Sequence, residues 1–201
     1  MARLSLNKSS LSNESRQLKT YERFLPSLEM KRKQLMAERA KAREHLARTE
    51  QSIKDLLQRV GEHLPMLGNR ELELEELVKV SGVRVTEENL VGTRLPVLQG
   101  VDVQVREYGL ISKPHWVDHV VRELTQMLEL QLSVQVDRQR MQLMEEALRK
   151  VTQRVNLFDK VLIPRTRDNI RRIRIALSDL ERAAVVRAKI AKGKRTREGL
   201  A

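Results

Sequence analysis

The 201-residue chain contains no cysteine, only five aromatic residues, eight glycines and five prolines. Each scarcity excludes something. Without cysteine there are no disulfides, thiol nucleophiles or zinc–thiolate centres, which fits a reducing compartment. Tyr21, Phe24, Tyr108, Trp116 and Phe158 are too few to organise a thick globular core, and a compact enzyme is not expected. No apolar run approaches the 18 residues of a membrane span, and Met1 to Asn13 lacks the apolar stretch of a signal peptide. A cytoplasmic location is expected. No Gly-rich phosphate loop, nucleophile elbow or His-Glu-x-x-His run occurs. His115 and His119 stand four apart at a helix start, a spacing that can hold a metal, but no third ligand accompanies them. Neither a metal nor a cofactor is expected.

What is present is charge and leucine. Ala, Glu, Lys, Leu and Arg supply 101 of the 201 residues, a composition that marks long helices or coiled coils when the period agrees. It does agree. Leu11, Leu18, Leu25, Arg32, Arg39, Leu46, Ile53, Val60 and Leu67 recur every seven residues. A second seam holds Tyr21, Leu28, Leu35, Ala42, Thr49, Leu56 and His63. Pro26 should kink this helix or break it near Leu25. Gly61, Pro65 and Gly68-Asn69 weaken its far end near 61–69, leaving Glu71 to Val78 as a short second helix.

The period returns after about His115 as Val120, Met127, Val134, Met141, Leu148, Val155 and Leu162. Past Ile163-Pro164 it slips by one residue to Ile170, Leu177 and Ala184, flanked by Ile173 and Leu180, as a proline-associated stutter would produce. Each helix should run about 80 to 110 Å at 1.5 Å per residue.

Between the helices lies a different composition. Nine of the twenty valines fall between Val78 and Val105, and four of the eight glycines between Gly82 and Gly109. Val83-Arg84-Val85 and Val101 to Val105 alternate like half-buried strands, with Gly92, Pro96 and Gly100 read as turns. A hairpin or three-stranded patch follows, too small to stand unless it leans on the helices. The fold class is therefore mostly α: a long antiparallel two-helix coiled coil with a small β-hairpin insertion. The expected divisions are 1–77 for the first helix, 78–114 for the hairpin region, 115–192 for the second helix and 193–201 for a basic tail. A hairpin closing near residues 77 and 116 places Asp55 opposite Arg138 and Arg48 opposite Glu145.

The net charge of +12 is unevenly spread. Residues 1–48 carry +7 and residues 160–201 carry +9, whereas 49–159 carry −4. Antiparallel pairing gathers both basic stretches at one end. The tail, from Arg187 to Arg197, has a phosphate-binding look but no interleaved aromatic for base stacking.

Three stretches then point to a family. Arg154-Val155-Asn156-Leu157 through Ile163-Pro164-Arg165, with Leu180-Glu181-Arg182 and Arg187-Ala188-Lys189, carries the first. Asn89-Leu90-Val91-Gly92-Thr93-Arg94-Leu95-Pro96 and Leu28 through Leu35 carry the others. In this order they resemble the D subunits of V-type (vacuolar/archaeal-type) ATPases, the central rotor shaft. The family's opening Pro-Thr-(Arg/Lys) is replaced here by Ser5-Leu6-Asn7-Lys8.

The resemblance implies a non-catalytic shaft coupling nucleotide hydrolysis or synthesis to rotation of the membrane ion-translocating ring. Its implied partners are the catalytic and non-catalytic subunits of the hexameric head, a small F subunit, and a funnel-like subunit on the ring. The chain would then be peripheral to the membrane, without insertion. Arg165, Arg167, Arg171, Arg172 and Arg174, with Lys31, Arg32 and Lys33, are the candidate head contacts. Asn89, Gly92 and Pro96 are the candidate stalk contacts at the membrane end. Two rival readings are a basic coiled coil that binds nucleic acid and a rod of a secretion or flagellar export ATPase. Neither explains the valine-rich insertion.

Overall fold

A computed structural model describes residues 4–65, 77–106 and 116–198. The proposed short helix at Glu71 to Val78 lies almost wholly outside the described residues, as does His115. The elements are α1 (Lys8–His63), β1 (Val78–Leu90), β2 (Thr93–Val105), α2 (Val117–Leu157), a π-helical turn (Phe158–Leu162) and α3 (Ile163–Glu198). The chain is thus mostly helical, with one small antiparallel hairpin. It divides into two compact units: residues 1–30 with 151–201, and residues 31–150.

Asn7 caps α1, its Oδ1 accepting the Ser10 amide at 2.7 Å. The helix runs through Pro26 without a break, so of the two expected outcomes, a kink or a break, the break does not occur. Pro26 occupies an exposed position, where the carbonyl left without its donor is open to water. The helix stops at His63 because Leu64 precedes Pro65, and a residue before proline is pushed out of the α region.

In the unit of residues 31–150, the later part of α1 packs antiparallel on α2. Leu35, Leu56, Val120, Val134 and Met144 are buried, and Leu77, Val117 and Val121 form a cluster at the closed end. The described seam positions of α1, from Arg32 to Leu56, are all buried or half-buried. Arg138 Nη2 donates to Glu50 Oε1 at 2.8 Å, His45 Nδ1 lies 2.9 Å from Asp137 Oδ2, and Arg39 lies 3.9 Å from Glu145.

These contacts overturn the expected facing pairs. Arg138 meets Glu50, not Asp55, which instead accepts a hydrogen bond from Gln51. Glu145 meets Arg39, while Arg48 pairs along its own helix with Glu44. The physical cause is where α1 ends. α1 ends at His63, well before the closing point at residue 77 on which the expected register rested.

The hairpin is two-stranded. Gly92 makes the turn, but Pro96 and Gly100 lie inside β2, Pro96 facing Glu87 and Gly100 facing Arg84. Proline is tolerated there because a two-stranded ribbon has only edge strands. The turn has two residues with positive φ, Val91 at 51° and Gly92 at 76°, the pattern of the primed turns that match strand twist. Two register irregularities, at Ser81 in β1 and Gln99 in β2, each add one residue on one strand only. Val80 and Val83, three apart, therefore share a face, and so do Leu98 and Val101. The opposite face carries Leu95, fully buried, and Glu88, whose Oε2 accepts from Arg140 of α2 at 2.7 Å. Arg106 N–H donates to the Leu77 carbonyl and closes the base.

In the other unit, the first turns of α1 pair antiparallel with the end of α2 and with α3. Val151, Val155, Ile163, Ile170 and Ile173 are buried, and Tyr21 meets Phe158 edge-to-face at 5.4 Å. The one-residue seam slip has a visible origin. Ile163 N–H reaches back five residues to the Phe158 carbonyl, so the π turn holds one extra residue just before Pro164. Past it, Thr166, Ile170 and Ile173 are again buried.

Candidate functional site

The surfaces available to partners are those the chain's own packing leaves open. α1 begins at Lys8, and Glu14 accepts from Asn169 Nδ2 at 3.2 Å. α3 continues to Glu198, so its last turns extend past the segment α1 can cover. Every residue from Asp179 to Arg195 is exposed. That stretch includes Leu180, Val185, Val186 and Ile190, each more than half exposed, with six basic and two acidic side chains. Leu180 and Ala184, expected in a buried seam, are thus open. The heptad continues there, but the partner helix has ended.

Below this overhang lies a groove between α1 and α3. Leu18, Ile170 and Ile175 give it an apolar floor, and Lys19, Glu22, Arg167, Arg171 and Arg174 line its walls. Arg167 Nη2 donates to Glu22 Oε1 at 2.7 Å, while among the described residues no ion pair holds Lys19, Arg171 or Arg174. Arg172 pairs with Asp168 one turn back at 3.1 Å, and Arg165 is exposed. Three of the five candidate arginines therefore share one groove, and the other two do not line it.

Within the unit of residues 31–150, Lys31 and Arg32 are half-buried and Lys33 is exposed. Lys31 leans toward the ribbon: a Cβ built on Gly92 would lie 3.4 Å from its Nζ. The structure thus brings together Lys31 and Gly92, assigned separately from sequence. Asn89 faces Arg94 across the ribbon, and Pro96 faces Glu87.

Near the closed end, His119 Nε2 lies 3.8 Å from Glu123 Oε1. Among the described residues no group of three or more His, Asp or Glu is arranged to hold a metal. None of their helices is long and apolar enough to cross a membrane.

Sequence reasoning missed the exposed face of α3 and the valine face of the ribbon. The signal for the first was a heptad that outlasts its partner. The second needed the two bulges, which residue alternation alone does not show.

The class of protein defined here is an antiparallel helical pair interrupted by a β-ribbon, with charged and apolar surfaces held open for partners. The model of the ATP synthase D-subunit family matches residues 10–193, and the chain belongs to that family. Among its relatives is the D subunit of the V-type ATP synthase of Borreliella burgdorferi, 29% identical over 192 residues, covering 96% of this chain and 95% of the relative. The corresponding V-type ATP synthase protein of Chlamydia muridarum is 31% identical over 199 residues, covering 96% of each. That of Chlamydia pneumoniae is 27% identical over 194 residues, covering 94% and 91%.

Proposed function

We propose that this chain, a non-catalytic central-stalk subunit of a V-type rotary ATPase, enters the catalytic head with the exposed end of α3. The single observation carrying this reading is the helical stretch from Asp179 to Arg195, exposed throughout and carrying both apolar and basic side chains. A shaft turning inside a ring of repeated subunits needs attraction without locking to one of them. Long-range charge supplies attraction with little geometric commitment. The absence of aromatic residues from this stretch withholds the anchors that usually dominate a fixed interface.

The groove arginines Arg167, Arg171 and Arg174 extend this surface toward the head, with Arg165 and Arg172 beside them on α3. Lys31, Arg32 and Lys33 are assigned to the same partner. Asn89, Gly92 and Pro96 are assigned to stalk partners, the small F subunit or the funnel-like subunit on the membrane ring. The Gly92 turn lies beside Lys31, well before α1 ends at His63. That placement supports a contact on the side of the helical pair. The chain then reaches the membrane only through its complex.

Mixing the purified chain with head subunits and the small stalk subunit tests the reading, with co-elution as the readout. A chain ending at Ser178 should lose only the helical residues it deletes, unfold at an unchanged temperature, and lose head binding. Undiminished head binding by that truncation would refute the role of α3. Failure of the intact chain to join any subunit, together with salt-sensitive binding to DNA, would favour the nucleic-acid reading instead.

A further inference from the structure

In the unit of residues 1–30 and 151–201, both partners of the helical pair carry a break in the backbone hydrogen-bond ladder. We propose that the two breaks together form one bending and twisting joint in the pair. In α1, Pro26 has no N–H, so the Glu22 carbonyl lacks the donor it would find four residues on. The Ser27 hydroxyl donates to the Phe24 carbonyl at 2.8 Å, a side-chain bond that competes with the same ladder. In the opposite helix Ile163 N–H goes to the Phe158 carbonyl, which takes the usual donor away from the Asp159 carbonyl. The next residue, Pro164, has no N–H to replace it.

The two breaks lie at one level. Tyr21 meets Phe158 at 5.4 Å, and Arg167 donates to Glu22, the residue whose carbonyl Pro26 leaves open. Glu22 to Pro26 therefore runs beside the π turn. An intact helix splints a defect in its neighbour, but two defects side by side leave no splint. Packing is also thin at this level. No residue between Val155 and Ile163 is buried, nor is any from Lys8 to Met30. Phe24, Leu157 and Val161 are each about half exposed. Pro26, Asp159 and Pro164 are exposed as well, so water reaches the carbonyls left without donors. Sharp helix bends sit at prolines and π turns, and few buried contacts with a water-open backbone are the conditions for local opening.

The joint's use rests on the stalk reading: a chain held by the head at one place and by other subunits elsewhere takes up any mismatch where its ladders are weakest. Its existence is tested on the full chain alone. The chain has no cysteine, so Gln153→Cys with Arg172→Cys, exposed positions on either side of the π turn, accepts two spin labels. They stand about 28 Å apart along a helix, and the spread of that distance reads bending directly. Deleting Asp159 and adding Pro26→Ala and Pro164→Ala restores both ladders. The spread should then narrow, and amides of residues 158–166 should exchange about fivefold more slowly, the net worth of one backbone hydrogen bond. Assembled with head and stalk subunits, this variant should join in unchanged yield and support ATP hydrolysis at about half the natural rate or less.

Equal spread and equal exchange in the two chains would overturn the proposal while leaving the stalk reading intact. A narrowed spread with an unchanged rate of hydrolysis would overturn the joint's part in rotation. If the restored variant melts lower than the natural chain, Pro26→Ala alone carries the test: it keeps the π turn and should slow exchange across residues 22–30, and no slowing there would overturn the joint. Failure of the natural chain to join any subunit, with the spread narrowing as expected, would remove the stalk reading and keep the joint.

Discussion

Replacing Val91 by Asn should make the ribbon harder to open. Val91 sits at φ 51°, where a side chain crowds the following carbonyl at a cost of about 1–2 kcal/mol, and branching at Cβ adds to the crowding. Asn tolerates this conformation and is favoured in two-residue turns of this kind. Against that gain stands the contact area of a half-buried valine, about 0.5–1 kcal/mol if half the value of full burial is lost. The net gain is about 0.5–1 kcal/mol. Leu95 is the one fully buried side chain among the described ribbon residues, so the ribbon should open without unfolding the helices. Amide exchange across β1 and β2 reads that opening directly and should slow about two- to fivefold, a tenfold change being 1.4 kcal/mol. Helix amides should not respond. Gly92→Ala supplies the opposite sign, because Gly92 has φ 76° and its added Cβ would meet Lys31 Nζ at 3.4 Å; exchange should accelerate by about an order of magnitude. Unchanged or faster exchange in Val91→Asn would refute the strain argument.

Other expectations follow from the packing. Leu35 is fully buried, so Leu35→Ala should cost about 2–5 kcal/mol in urea denaturation, and a loss below about 1 kcal/mol would place it outside the core. Reversing either charge of the Glu50–Arg138 pair should destabilise by about 0.2–1 kcal/mol, and reversing both should restore stability; rescue by an Asp55–Arg138 swap instead would restore the discarded register. Deleting Asp159 removes the extra residue that the π turn accommodates, so the helix should close as a regular α-helix with Ile170 and Ile173 still on the buried side and the melting temperature little changed. Deleting Asp168, in a regular turn of α3, should instead rotate the helix beyond it by about 100° and lower the melting temperature markedly. Equal effects of the two deletions would show that the π turn does not set the seam.

The legible part of the fold was the periodic part. The α1 seam from Leu11 to Leu56 is buried or half-buried throughout, because an interface between two helices recurs with their own turn. Even the one-residue slip at Leu162 to Ile170 was visible, although its cause, a π turn before Pro164, was not. Pairing was not legible: Arg138 had both Asp55 and Glu50 within a few residues, and the choice depended on where α1 ends. Pro96 and Gly100 looked like turns and are strand residues, since an edge strand tolerates a missing N–H. Of the candidate contacts, the arginines of α3 were found by charge, but their gathering into a groove required Leu18 and Ile170 to be juxtaposed.

The sequence by itself determined the class of the fold, the helical seams, the presence of a strand-forming insertion and the family. Those properties are local or periodic, written in residue spacing and composition. Tertiary structure decided the register, the exposed length of α3, the left-handed turn at Val91 and the face on which the valines gather. Each depends on where one segment stops against another, and a shift of one residue in a strand turns every side chain to the other side.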